Sequence, residues 1–170
     1  FSACAVIKNY NAPEGPLYQG HFAPAPPAFS GSLKIVSYNI ELGKKISQAA
    51  AELSSVPELK DADVLLLQEM DPRGVETLAS RLHFDYIYYP ASVNSKNKMD
   101  FGNAVLSQWP IKSFRKVVLP YDHPFRKEIR IAVFAVIQVG RFEVARAQFA
   151  QFDAGYPVPT GRENFPASGI

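Results

Sequence analysis

Two polar residues, Asn39 and Glu69, stand at the ends of two apolar stretches that are typical of β-strands. Asn39 lies near the end of LKIVSYNI, residues 33–40, and Glu69 directly follows DVLLLQ, residues 63–68. Amide and carboxylate oxygens are hard ligands of the kind that Mg²⁺ and Ca²⁺ select. Because Mg²⁺ keeps several waters and takes phosphate oxygens into its shell, a sparse set of protein ligands suffices. If these two residues lie close together, the sequence predicts a divalent-metal site.

The elements that would bring them together are a strand, a helix and a second strand. The first stretch is rich in the β-branched and aromatic residues that strands prefer, and the second is continuously apolar, as in a strand buried on both faces. Between them, an apolar stripe at helical spacing comprises Ile46, Ala49, Ala50 and Leu53. Such a crossover joins parallel strands, whose carboxyl ends share one edge of the sheet. We therefore expect Asn39 and Glu69 to converge at that edge, provided that the strands are neighbours.

The segment after Glu69 offers an alternative interpretation of its acids. A second helical stripe, formed by Val75, Leu78, Ala79 and Leu82, follows in PRGVETLASRLHFD. Asp71 is suited to cap this helix, with Pro72 at the first helical position. On the residues alone, Glu69 is either a metal ligand or a solvated or capping acid.

Composition limits the possible functions. The chain of 170 residues is long enough for one domain with a sizeable core. Its 18 basic and 16 acidic residues leave a net charge of +2, so any phosphate recognition must be local and cannot come from bulk charge. No apolar run approaches the ~20 residues of a transmembrane helix. A single cysteine excludes an internal disulfide and argues against a cysteine-based metal site.

That cysteine, Cys4, lies in FSAC, which is similar to the end of a bacterial lipoprotein signal. A Pro- and Gly-rich segment without periodicity follows it, NAPEGPLYQGHFAPAPPAFSGS. We therefore expect residues 1–32 to be a tether, Cys4 to be lipidated and the protein to be extracytoplasmic and anchored to a membrane. The alternative is a cysteine placed there by chance, in a protein that could equally be cytoplasmic.

Three segments, in this order, resemble the endonuclease/exonuclease/phosphatase superfamily: LKIVSYNI with Asn39, ADVLLLQEMD with Glu69, and FGNAVLSQWPI at residues 101–111. A weaker fourth, RIAVFAVIQV, begins at Arg130 and resembles the family strand that opens with a phosphate-contacting arginine. Each motif is short, and their order and spacing make the combination fairly specific. The resemblance covers about residues 33–139.

The resemblance implies an α/β fold, the DNase-like four-layer α/β sandwich, and a metal-dependent hydrolase of phosphodiester or phosphomonoester bonds. It identifies Glu69 as the magnesium-binding glutamate and Asn39 as the asparagine beside the metal or the scissile phosphate. Arg130 would contact the phosphate, whereas Asn103 of the GNAVLS segment would be structural. The implied cofactor is Mg²⁺, with Mn²⁺ or Ca²⁺ as alternatives. The substrate is a nucleic acid, a phospholipid or a small phosphoester, and the sequence does not distinguish these.

The end of the chain departs from the family pattern. The threonine-histidine-leucine, GDFN-like and serine-aspartate-histidine signatures, which supply the acid and histidine that act on water and phosphate, are absent from RFEVARAQFAQFDAGYPVPTGRENFPASGI. We interpret His21 and His83 as loop or surface residues, and His123, which precedes Pro124, as part of a turn. The catalytic residues therefore stay unknown.

These departures predict a truncated domain at residues 33–152 with the second sheet largely missing, followed by an irregular tail at residues 153–170. A chain without that sheet would leave a broad apolar face uncovered. FEVARAQF alternates apolar and polar residues and could form a hairpin through Gly140. Two functions stay open: an incomplete metal-dependent phosphoester hydrolase, or a noncatalytic domain that at most binds a divalent ion or phosphate.

One further segment, SVNSKNKMDFGN at residues 92–103, carries Lys96 and Lys98. These lysines could approach a nucleic-acid backbone, and the alternative is a solvated basic loop.

Overall fold

The computed structural model describes residues 8–41, 43–94, 98–120, 128–140 and 142–150, the last segment from residue 143 onward by its backbone alone. Its elements, in chain order, are β1 (Tyr18–Gly20), β2 (Ile35–Asn39), α1 (Ile46–Ser55), β3 (Val64–Met70), α2 (Pro72–Leu82), β4 (Asp85–Val93), β5 (Asp100–Ser107), β6 (Ile111–Val118), β7 (Ile131–Val139) and β8 (Phe142–Ala150). The first sheet has the strand order β1-β4-β5-β3-β2, and the second has the order β6-β7-β8.

The predicted strand–helix–strand unit is present. Strands β2 and β3 are parallel neighbours, and Asn39 lies opposite Gln68 in their register. Helix α2 begins as the sequence predicts, with Pro72 in its first turn. The Asp71 carboxylate accepts a hydrogen bond of 2.9 Å from the Gly74 N–H and caps the helix. The carboxyl ends of β2 and β3 therefore meet at one edge of the first sheet, which we call the carboxyl edge.

Strand β3 is continuously apolar because it lies between two cores. Leu65 and Leu67 face α1 and α2, whose apolar stripes cover the outer side of the first sheet. Val64 and Leu66 point to the opposite side, toward the second sheet. Alternate residues of a strand point to opposite faces. A strand covered on both faces therefore has no polar positions along its buried length.

The second sheet covers the inner face of the first. One side of β7 is almost fully buried there, through Ile131, Val133, Ala135, Ile137 and Val139. The layering of helices, a five-stranded sheet and a second sheet confirms the predicted α/β sandwich. The second sheet contributes three strands, including the hairpin of β7 and β8 around Gly140, which has a φ of 60°. Within the described residues, this sheet occupies the apolar face that the sequence suggested would be uncovered.

Part of the segment that the sequence predicts to be a tether is packed against the domain. Strand β1 pairs with β4, with Tyr18 opposite Tyr88, and the buried Lys116 ammonium donates to the carbonyls of Tyr10, at 2.8 Å, and Gly15, at 3.0 Å. This part of the chain is docked on the domain and is not a free tether. A strand of three residues is too short to show an alternation of apolar and polar residues. Because its contacts are to residues far along the chain, no local pattern predicts it.

Cys4, His123 and the predicted tail at residues 153–170 lie outside the described residues. Lipidation of Cys4 accordingly stays a prediction. Neither α1 nor α2 is long and apolar enough to cross a membrane, and no other helix occurs in the described part of the chain.

Candidate metal and phosphate site

Asn39 and Glu69 are in direct contact at the carboxyl edge. The Asn39 amide, through Nδ2, donates a hydrogen bond of 3.0 Å to Oε1 of Glu69. Parallel pairing of β2 and β3 places these residues beside each other although they are 30 positions apart. The convergence expected from the crossover is therefore present.

The backbone of Glu69 is strained. Its φ is 56°, in the left-handed region that glycine favours. The register shows why: Leu67 pairs with Ala104 and Met70 pairs with Gly102, so β3 carries one more residue than β5 between these pairs. Such a β-bulge redirects a side chain, and a left-handed residue with a Cβ costs about 1–2 kcal/mol. The fold tolerates this cost at the residue that the family resemblance predicts to be the metal ligand.

Both ends of the Asn39 amide are engaged. Nδ2 donates to Glu69, and Oδ1 accepts a hydrogen bond of 2.9 Å from the Glu41 N–H, which is an Asx turn. These two bonds fix the amide, so that its nitrogen is directed to the carboxylate. Only the second lone pair of Oδ1 is left for a metal. The geometry thus gives Asn39 an orienting role toward Glu69, and its role as a direct metal ligand stays a prediction.

Two glycines let backbone segments approach closely around this site. At Gly43, which has a φ of 65°, an added Cβ would overlap the Asp71 carboxylate. At Gly102, which pairs with Met70, it would overlap the backbone of Tyr89 and Pro90. A larger residue at either position would displace the segments that flank Glu69.

The residues on either side of Arg130 are held near the same edge by two hydrogen bonds. The fully buried Asn103, next to Gly102 in β5, donates from Nδ2 to the Ile131 carbonyl at 3.1 Å. On the other side, the Ile129 N–H donates to Oδ1 of Asn9 at 3.4 Å. The backbone around Arg130 is therefore held at the edge that carries Glu69. Asn103 is structural, as the resemblance implies, and joins the two sheets.

Three tyrosine hydroxyls lie on the β4 and β5 side of this edge. Those of Tyr10 and Tyr18 donate to the Asp100 carboxylate at 2.7 and 2.9 Å, and that of Tyr88 donates to the Met70 carbonyl at 3.0 Å. Burial and the bond to Asp100 raise the pKa of Tyr10 to about 12. Burial raises the pKa of Tyr88 well above its ordinary value. These phenols therefore act as neutral hydrogen-bond donors.

The sequence analysis identifies no role for Tyr88 at this edge, and it misses the pair formed by Tyr10 and Asp100. These two residues are 90 positions apart, and Tyr10 belongs to the segment that was predicted to be a tether. No local pattern of the sequence signals their contact.

The donor set at the edge fits a sparsely ligated hard cation. Among the described residues, no group of three or more His, Cys, Asp or Glu side chains could hold a metal. Glu69 supplies one carboxylate, with Asn39 beside it, and Mg²⁺ is often bound by one or two carboxylates together with waters and substrate phosphates. The chemistry of Glu69 and Asn39 therefore agrees with the implied ion.

The described histidines lie at the other end of the first sheet. His83 follows α2 as its C-cap, and His21 Nδ1 lies 3.3 Å from Oδ2 of Asp85, the first residue of β4. Because β4 begins at the edge opposite Glu69, neither imidazole is placed to act there. Their interpretation as loop or surface residues agrees with the structure.

Comparison with known proteins identifies the family. The model of the endonuclease/exonuclease/phosphatase family matches residues 36–165. A solved structure, that of humanized D. rerio TDP2 with 14 mutations, is similar at 18% identity and a TM-score of 0.45; the match covers 64% of this chain and 42% of that one. The chain thus spans less than half the length of that structure. No curated protein matches. Since the family model matches most of the chain, the protein belongs to the endonuclease/exonuclease/phosphatase family.

Proposed function

We propose that this chain carries the metal- and phosphate-binding part of a hydrolase of phosphodiester or phosphomonoester bonds. The observation that carries the proposal is the contact between Asn39 and Glu69, with Glu69 held in a left-handed bulge at the carboxyl edge. Open α/β sheets bind ligands at this edge. Strained backbone of this kind clusters at functional sites.

The residues have distinct roles in this proposal. Glu69 would hold the divalent ion. The expected ion is Mg²⁺, with Mn²⁺ or Ca²⁺ as alternatives. Asn39 keeps the Glu69 carboxylate in one orientation, and Arg130 donates two hydrogen bonds to the substrate phosphate. When bound, the ion supplies positive charge beside the phosphoryl oxygens, where negative charge develops.

A second function is binding of a divalent ion or phosphate without turnover. It is favoured by the position of His21 and His83, since both lie at the opposite end of the first sheet. Metal and arginine bind and orient a phosphate, but attack by water also requires a group that positions the water or takes its proton.

Calorimetric titration of Mg²⁺ into the wild-type protein tests both functions, with hydrolysis of bis-nitrophenyl phosphate followed in the same samples. Glu69→Gln removes the charge with little change of shape. Glu41→Gln is the matched control, because this exposed acid lies shortly after β2 at the same edge of the sheet and pairs with Lys44 at 3.1 Å. We expect Glu69→Gln alone to abolish Mg²⁺ binding and turnover.

The outcomes separate the two functions. Mg²⁺ binding that depends on Glu69 without any turnover selects the noncatalytic function. A wild-type protein that binds no Mg²⁺ rejects the metal assignment for Glu69 and Asn39.

We also propose an extracytoplasmic location with a lipid on Cys4. Mass spectrometry of the protein purified from a bacterial membrane fraction, compared with a Cys4→Ser variant, tests this part. Loss of both the added lipid mass and the membrane association in the variant is the expected result.

A further inference from the structure

Residues 8–16, which we call the strap, lie against the end of β4 and against the second sheet. On the first sheet, the Tyr10 N–H donates to the Ala91 carbonyl at 2.8 Å. The Val93 N–H, at the end of β4, donates to the Lys8 carbonyl at the same distance. Because β4 ends at the carboxyl edge, the strap pairs with the first sheet at the edge that carries the metal and phosphate site.

A buried lysine of the second sheet holds the strap. Lys116 of β6 is 3% exposed, and its ammonium donates to two strap carbonyls, those of Tyr10 at 2.8 Å and Gly15 at 3.0 Å. Burial of an ammonium costs free energy unless hydrogen bonds compensate it, and here burial lowers the pKa of Lys116. The fold therefore accepts a buried charge at the place where the strap meets the second sheet.

The strap also contacts the backbone next to Arg130. The Ile129 N–H donates to Oδ1 of Asn9, in the strap, at 3.4 Å. The Arg130 carbonyl accepts a hydrogen bond of 2.8 Å from the Leu119 N–H, which directly follows β6. The contacts from Leu119 and Asn103 come from the two sheets, whereas the contact from Asn9 exists only while the strap is docked. Docking of the strap therefore contributes to the position of the Arg130 backbone.

Phosphate recognition by an arginine makes this position matter. A guanidinium binds phosphate best through two parallel N–H donors, and such a contact requires placement of the side chain to within about 0.5 Å. Arg130 directly precedes β7, and the register of β6 with β7 ends at Ile131. A hydrogen bond on the other side, at Ile129, therefore restricts a part of the backbone that lies beyond the regular ladder.

We propose that Asn9 is a positioning residue for Arg130: through the Ile129 N–H, the docked strap fixes the backbone from which Arg130 binds the substrate phosphate. Asn9 acts through Arg130 and does not itself contact the phosphate. Lys116 takes part because its two hydrogen bonds keep the strap docked. This inference rests on the proposed function and adds a residue to its phosphate site.

Calorimetric titration of inorganic phosphate into the full chain, in EDTA, tests the inference without metal or turnover. Asn9→Ala removes the acceptor of the Ile129 N–H and should weaken phosphate binding by about two- to tenfold, the effect of one hydrogen bond. Asn11→Ala is the matched control, because Asn11 is the same type of residue in the same strap and is exposed. We expect this control to bind phosphate as the wild type does.

A double-mutant cycle separates positioning of Arg130 from a general effect on the fold. Arg130→Lys keeps the positive charge as a point charge on a flexible stem, which depends less on exact backbone placement than a guanidinium does. If Asn9 acts through Arg130, the effect of Asn9→Ala should fall below about twofold in the Arg130→Lys background. A purely structural role would give the same factor in both backgrounds.

Hydrogen exchange of the Ile129 amide tests the contact itself. Asn9→Ala should speed this exchange, and Asn11→Ala should leave it unchanged. Lys116→Met removes the two bonds that hold the strap and should speed the same exchange, whereas Lys116→Arg, which keeps the charge and the donors, should restore part of the protection. Unchanged exchange in Asn9→Ala would show that the contact is absent in solution and would overturn the inference.

The outcomes distinguish this inference from the proposed function. Phosphate binding that depends on Arg130 but is unchanged in Asn9→Ala overturns the inference alone. Equal weakening by Asn11→Ala, or an undiminished effect of Asn9→Ala in the Arg130→Lys background, also overturns it. A wild-type protein that binds no phosphate, or full affinity in Arg130→Lys, rejects the role of Arg130 in the proposed function, and the inference with it.

Discussion

Replacing Glu69 separates the function of its carboxylate from the strain of its backbone. Glu69→Ala and Glu69→Gly both remove the carboxylate and its bond to Asn39. At a φ of 56°, a residue with a Cβ is disfavoured by about 1–2 kcal/mol, and glycine avoids this cost. Glycine loses about 0.5–1 kcal/mol relative to alanine through its greater unfolded-state entropy. The midpoints of these two ranges differ by about 0.7 kcal/mol, so Glu69→Gly should be more stable than Glu69→Ala by roughly 0.5–1 kcal/mol.

Urea unfolding followed by Trp109 fluorescence measures this difference. Trp109 is the single tryptophan and is 3% exposed, between the two sheets, so its emission reports loss of the core. For a chain of this size, the expected difference corresponds to a melting temperature about 1–4 °C higher for the glycine variant. Both variants should lose Mg²⁺ binding in the calorimeter, because both lack the carboxylate.

Gln68 supplies the matched control. It is adjacent to Glu69, and its backbone is outside the left-handed region. At this position glycine should be less stable than alanine by about 0.5–1 kcal/mol, so the sign is opposite. If Glu69→Ala proves as stable as Glu69→Gly while Gln68 behaves as expected, then Glu69 is not left-handed in solution and the strain argument is wrong.

Three further predictions concern the surroundings of the site. Burial and the bond to Asp100 raise the pKa of Tyr10 from 10.0 to about 12. The stability that the protonated phenol contributes is therefore fully present below pH 10.0 and is lost as the pH rises toward about 12. Tyr10→Phe should reduce this loss, measured as the midpoint of urea unfolding across the same pH range. Asp71→Ala removes the cap of α2 and should cost about 0.5–2 kcal/mol in urea unfolding, whereas Asp71→Asn, which can still cap, should retain most of the stability. Ile137 is fully buried in the core between the two sheets, so Ile137→Ala creates a cavity there. If the free energy of unfolding falls by much less than about 2 kcal/mol, the packing of the second sheet is wrong.

The contact between Asn39 and Glu69 could be predicted because it follows from local patterns and one topological rule. Apolar periodicity identifies β2, α1 and β3, and the crossover between parallel strands brings their carboxyl ends to one edge. The helix cap at Asp71 could also be predicted from the sequence, because a capping residue acts within its own helical turn.

The remaining features depend on contacts between distant segments. The docking of residues 8–20 relies on Lys116 and Asp100, about a hundred positions along the chain. The bulge at Glu69 has no glycine to signal it, because β3 contains only VLLLQEM. It arises from the register with β5, where Gly102 lets the strands β4 and β5 approach closely. Such a feature is visible only after the strands are paired.

The bulge and the Asx turn together explain how one carboxylate could serve as a metal ligand. An exposed glutamate ordinarily samples several rotamers, and fixing it on binding costs free energy. Here the left-handed backbone directs Glu69, and the Asn39 amide, itself held by the Glu41 N–H, restrains the carboxylate before any ligand arrives. The side chain of Glu69 thus loses its conformational entropy during folding and not on binding. The packing of the two cores offsets this loss. It follows that substitutions which relax this edge, such as Glu69→Gly, should spare the fold while they remove the proposed binding of Mg²⁺.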